Sequence, residues 1–184
     1  MLFAVQILRK CPNTSARLFK KKNKKLIQVA GLVKILVAYE SKYGNTKLVA
    51  EKIMEGMKKV KGVEPVLGEI KQGDLSKVLE YDAILIGSPN HIGGPTRGAK
   101  KFVDDLGRLS LKGKSLAAFD TYLGRDFKKA VKKLEKTIVE KIPGSKLLTP
   151  SLSVRAGGMR GPVSDEDLSK AVDFGKRVAT QVKT

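Results

Sequence analysis

Two hydroxyls and a glycine, Ser41, Gly44 and Thr46, follow directly on the apolar run Ile35-Leu36-Val37-Ala38, with Lys42, Tyr43 and Asn45 between them. A strand that runs into such a turn, with a helix behind it, can bind phosphate. Gly44 lets backbone approach a ligand closely, and the first amides of the helix have no partner inside it. The helix dipole adds to those donors, so a dianion suits the spot. Any one of these residues alone would suit an ordinary strand-to-helix turn. Their joint spacing is what points to a phosphate cradle.

The elements that must hold such a cradle alternate along the chain from residue 33 onward. Strands are expected at 35–38, 64–70, 82–87, 115–119 and 147–154, the last interrupted near Pro150. Helices are expected between them. The first, at 46–60, puts Val49, Ile53, Met57 and Val60 on one face. A short helix at 75–79 and a longer one at 96–106 follow. The next, at 125–141, turns Phe127, Val131, Leu134 and Ile138 inward and Lys128, Lys129, Lys132, Lys133 and Lys136 outward. Ser164, with Asp165, Glu166 and Asp167 after it, reads as the N-cap of a last helix that buries Leu168, Ala171, Val172, Val178 and Val182. Strands one and three are apolar on both faces, so helices cover the sheet on both sides. The pattern predicts a doubly wound α/β domain with a five-stranded parallel sheet in three α/β/α layers. Right-handed crossovers favour the strand order 2-1-3-4-5. In that order, ligands bind at the carboxyl ends of strands one, three and four.

Each of those ends carries a loop of suggestive composition. The first is the Ser41–Thr46 turn. The second is Gly87-Ser88-Pro89-Asn90-His91-Ile92-Gly93-Gly94-Pro95-Thr96, and the third is Phe119-Asp120-Thr121-Tyr122-Leu123-Gly124. Read singly, Pro-Asn and Gly-Gly are turn formers. Read in order, the three loops resemble those of the flavodoxin family, over about residues 33–182. The first matches the family's phosphate loop, Ser/Thr-x-x-Gly-x-Thr.

The resemblance implies the flavodoxin-like fold and one FMN as cofactor. It assigns Ser41, Lys42, Tyr43, Gly44, Asn45 and Thr46 to the phosphate. Ser88, Pro89, Asn90, His91, Ile92, Gly93 and Gly94 fall beside the flavin ring, where glycine allows a peptide to flip toward N5. Asp120, Thr121, Tyr122 and Gly124 belong to the third loop, and Tyr122 would stack on the ring and help set its potentials. Arg155 to Pro162, glycine-rich and doubly basic, reads as a connector or as a contact to a partner or a second phosphate. Two departures from the family stand out. The chain has no tryptophan, so His91 or Ile92 must cover one ring face, and it is basic where electron-carrier flavodoxins are strongly acidic.

The net charge is +19. Eight of the 37 basic residues and none of the acids lie in residues 1–32, which leaves 33–184 with 29 basic against 18 acidic residues, or +11. The first 32 residues are expected to be disordered or not to belong to the natural protein. They could be a basic arm for an anionic partner, a targeting segment or translated upstream sequence. The third reading is preferred because flavodoxin-like chains begin a residue or two before strand one, and Leu32 or Val33 could each mark an alternative start codon. The arm would then carry no function.

Cys11 is the only cysteine, which excludes an intramolecular disulfide and a cysteine-held metal cluster within one chain and fits a reducing cytoplasm. His91 is the only histidine, so a multi-histidine metal site is excluded. No apolar run reaches the length of a membrane span. A dinucleotide fold needs Gly-x-Gly-x-x-Gly after strand one, which is absent. A phosphoacceptor receiver needs an aspartate after strand three, where Ser88 stands.

Electron transfer or flavin-dependent oxidoreduction is therefore the expected function, with an acidic redox protein or a small acceptor such as a quinone as partner. His91 could also donate a proton to a reduced flavin or a quinone. The sequence does not separate a pure carrier from a reductase, nor does it name the donor or the oligomeric state. The alternative is a module on the same fold that binds nucleic acid or an anionic surface without flavin, driven by charge. Aromatic residues make up 5% of the chain and none interleaves with the basic run, which leaves little for base stacking.

Overall fold

The computed structural model describes residues 31–72 and 75–184. Residues 33–184 form one compact unit. The expectations for 1–32 lie outside the described residues, apart from Gly31 and Leu32.

Strands β1 (Val33–Tyr39), β2 (Val63–Glu69), β3 (Ala83–Pro89) and β4 (Ser115–Tyr122) are parallel, in the order β2-β1-β3-β4. The fifth lane beside β4 is shared by two short strands. β5 (Lys146–Leu147) pairs with Ser115 and Leu116, and β6 (Leu152–Arg155) with Phe119 to Tyr122. The break falls at residues 148–151, where Pro150 offers no ladder donor. The fold is the expected doubly wound sheet of order 2-1-3-4-5.

Helix α1 (Asn45–Lys58) and α4 (Asp165–Lys183) cover one face, over Ile35, Val37, Leu85, Ala117 and Phe119. Helices α2 (Arg97–Leu106) and α3 (Lys129–Lys141) cover the other, over Ile84, Ile86, Leu116 and Ala118. Alternate residues of β3 and β4 feed the two cores, as the period of a strand requires. α1 and α4 pack backbone to backbone: a Cβ on Gly56 would lie 1.9 Å from the Val172 carbonyl oxygen. That contact fixes α1, and with it the turn that precedes it.

Two elements differ from the sequence reading. α3 starts at Lys129, because Lys128 has a left-handed φ of 60° that breaks any continuous helix from 125. Phe127 therefore lies in a turn and is exposed. β4 runs three residues past its apolar stretch, so Asp120, Thr121 and Tyr122 sit on the strand.

Candidate functional site

The cradle begins where β1 ends. Gly44 is the N-cap of α1 at φ 91°, a conformation that disfavours any side chain with a Cβ. Its amide donates to Ser41 Oγ at 3.1 Å, which closes the turn. No side chain caps α1, and its first turn holds no acid. Thr46 is buried, with its hydroxyl oxygen 2.8 Å from that of Thr121 on β4. Asn45 donates from Nδ2 to the carbonyls of Gly158 and Met159, at 3.3 and 2.9 Å. The loop after β6 is thus bound to the cradle.

The second loop is a short hairpin. Asn90 and Pro95 bridge, and His91 and Gly94 exchange backbone hydrogen bonds around Ile92 and Gly93, both with positive φ. Ile92 has φ 52°, an unusual state for a β-branched residue. The Asn90 amide donates to the Thr121 carbonyl at 2.7 Å, and Nδ2 to that of Asp126 at 3.2 Å. Its Oδ1 is buried without a partner. Thr96 then caps α2: its hydroxyl oxygen accepts from the Ala99 amide, and the hydroxyl donates to Glu40.

Between these loops lies a cleft of about 1020 Å³, at the upper end of the roughly 300–1,000 Å³ usual for small-molecule sites. Of the residues expected from sequence, Ser41, Lys42, Tyr43, Asn45, Thr46, Pro89, Asn90, His91, Ile92, Thr121 and Tyr122 line it. Gly44, Ser88, Gly93, Gly94, Asp120 and Gly124 are not on its wall. Gly44 shapes the turn, and Gly93 and Gly94 form the hairpin against Lys129 and Lys133. Gly124 turns the chain after β4 at φ 60°. Ser88 is buried and accepts from the Thr96 amide at 3.0 Å.

Asp120 points to the α2–α3 side of the sheet, where Oδ2 accepts from the Val131 amide at 2.8 Å. Burial pushes its carboxyl up to about 6, outweighing the amides of α3 that pull it down. It closes a helix start and faces away from the cleft.

The sequence reading did not place Glu40, Lys71, Lys100, Leu123, Ala156 or Met159 in the wall. Glu40 had a local signal, being next to Ser41. Its carboxylate occupies the start of α2 so closely that a Cβ on Gly98 would lie 2.3 Å from Oε2, and Lys71 Nζ stands 3.7 Å from Oε1. Lys42, Lys71, Arg97 and Lys100 make the wall cationic, and Glu40 is its one acid. No group of His, Cys, Asp and Glu among the described residues could hold a metal, and none of their helices is long and apolar enough to cross a membrane. The arrangement suits an anionic ligand, with phosphate donors at one end and apolar and aromatic walls at the other.

A family model described as a flavodoxin domain matches residues 36–162. A flavodoxin of Aquifex aeolicus is 36% identical over 91 residues, which cover 48% of this chain and 49% of that protein. The chain spans about half the length of the curated relatives it matches. Among solved structures, a flavodoxin from the domain Archaea superposes with a TM-score of 0.72 at 29% identity, covering 83% of this chain and all of that one. Oxidised Flavodoxin 2 of Bacillus cereus does so at 0.69 and 32%, again covering 83% of this chain and all of that one.

Proposed function

We propose, from the premise that this chain belongs to the flavodoxin family, that it binds one FMN in the cleft and passes electrons between redox partners. FMN is the cofactor of the family. The observation that carries this reading is the uncapped start of α1, which opens into the cleft beside Ser41 and Thr46. The helices α2 and α4 use Thr96 and Ser164 as caps, and Asp120 reaches the start of α3. Of these four helices α1 alone starts with no side chain on its first amides, which suits a terminal phosphate.

The far end fits a flavin as well. Asn90 lines that end, and its buried Oδ1, which has no partner, would accept from the ring N–H once the side chain turned toward the cleft. In this reading the 41–46 turn holds the phosphate, and the 89–93 hairpin and Tyr122 hold the ring.

When bound, FMN supplies reversible transfer of one electron at a time. The chain's own residues set the conditions for it. When the Thr121 hydroxyl donates across the 2.8 Å contact, Thr46 Oγ1 accepts and its own proton is left for the phosphate. Pro89, Tyr122, Leu123 and Ala156 exclude water from the ring end. Lys42, Lys71, Arg97 and Lys100 lower the cost of added negative charge in the cleft. Their exposure limits the gain through screening.

The test is the pigment of the purified protein. A flavin absorption spectrum, with FMN and not FAD released by heating, is the expected result. A colourless protein that takes up no added FMN would overturn the proposal.

A further inference from the structure

Ile92 is the most exposed large apolar side chain among the described residues, at 91%. It is held there in a backbone state that its branched Cβ opposes. Folding gains nothing from such a residue, and strain of this kind gathers at functional sites. Its neighbours share the anomaly. Of eight exposed large apolar side chains among the described residues, five ring the mouth of the cleft: Tyr43, Ile92, Leu123 and Met159 on its wall, and Phe127 against the ring of Tyr122 at 5.6 Å. Around this collar stand Lys42, Arg97, Lys100 and Arg125, which form no ion pair with the described residues. An apolar centre inside a charged rim is the anatomy of a protein docking surface.

We infer that the mouth of the cleft docks an acidic redox protein, with the 91–94 hairpin and the turn at 123–127 pressing on an apolar patch of the partner and the cations meeting carboxylates around it. The inference rests on the electron-transfer reading above. It names the partner's charge, which is opposite to that expected of a partner for an acidic carrier. The occupant is a protein for two reasons. Cations that track a nucleic-acid backbone would form a continuous stripe, whereas these encircle apolar side chains. A bilayer would meet a concave surface here.

The test uses the full, flavin-loaded chain and two small haem proteins, the soluble domain of an acidic b-type cytochrome and a basic c-type cytochrome. Binding is read by titration calorimetry, without turnover. The acidic protein should bind, and its affinity should fall about tenfold or more between roughly 10 and 200 mM salt. The double variant Arg97→Glu/Arg125→Glu should weaken it by about tenfold or more, against less than about threefold for Lys58→Glu/Lys61→Glu at the opposite end of the sheet.

Ile92→Gly should weaken binding with the salt dependence intact, and the unfolding midpoint should rise, so that lost docking is not lost folding. Equal or tighter binding of the basic cytochrome would overturn the inference. So would equal losses from the two charge reversals, or capture by anionic phospholipid vesicles without binding of the acidic protein. Flavin content is read from each sample's visible spectrum. A failure of the cofactor reading is thereby distinguished from a failure of docking.

Discussion

Helices α1 and α3 both begin at the carboxyl end of the sheet, and neither has a cap from its own N-cap residue. They differ in what meets their first amides. At α3, Asp120 arrives from β4, buried and bonded to Val131. At α1 no side chain among the described residues plays that part, and Asn45 and Thr46 line the cleft. One helix start is completed by an internal carboxylate; the other, in the proposed function, is left for the phosphate of a ligand. The fold thus offers the same partial positive charge twice, and the identity of one strand residue decides which copy is structural.

Supplying the open start with its own anion should have the largest effect. A charge placed by Ser41→Asp, about 5 Å from a bound phosphate, would repel it by roughly 3 kcal/mol at an effective dielectric near 20. FMN affinity in a fluorescence titration should fall by more than about 100-fold, while riboflavin loses little. An unchanged FMN affinity would place the phosphate elsewhere and end the contrast between the two starts.

The closed start is tested by pH. Asp120 has its carboxyl raised from 3.8 to about 6, so the folded chain holds this proton more tightly than the unfolded chain. The stability this confers is whole below about pH 3.8 and is lost as the pH rises to about 6. At most about 3 kcal/mol is involved. Asp120→Asn keeps an acceptor for Val131 and removes the titration, so its denaturation curves at pH 5 and pH 8 should differ less than the wild type's. FMN affinity should hardly move. A variant that lost FMN instead would mean that Asp120 acts on the ligand.

Thr46→Ala should weaken FMN more than riboflavin, by the roughly 1.5–3 kcal/mol of a hydrogen bond to a charged group. Equal losses for both ligands would show that its hydroxyl serves only Thr121. The smallest effect belongs to the strained hairpin. Ile92→Gly keeps the left-handed conformation but removes its steric cost of about 1–2 kcal/mol, less about 0.4–1 kcal/mol for the greater freedom of glycine in the unfolded chain, and should raise stability in urea denaturation by up to about 1 kcal/mol. No gain would mean that the loop relaxes at no cost.

The local parts of this molecule were legible in its sequence, and the parts made by distant contacts were not. Ser41, Gly44 and Thr46 read correctly as a turn between a strand and a helix because a single short segment builds it. Asp120 was visible as an acid after an apolar run. Its direction depends on the parity of a strand that continues past that run, and the even-numbered side chains of β4 point toward α2 and α3. Phe127 fitted the spacing of α3, yet the backbone at Lys128 turns left-handed and breaks the register. Lys71 and Met159 come to the cleft from elements with no phosphate-loop signature, brought there by the packing of the sheet and by Asn45. The strand order could be read because both-sided burial and crossover handedness leave few options.

The bond from Asn45 to the loop after β6 spans 113 residues of sequence. As the chain emerges from the ribosome, the 41–46 turn is made early, but its final shape waits for residues 158 and 159 to arrive and fold back upon it. If the proposed reading holds, the cradle reaches its full set of contacts only after those residues are made. A product that stops before residue 158 should therefore hold FMN less tightly than the full chain.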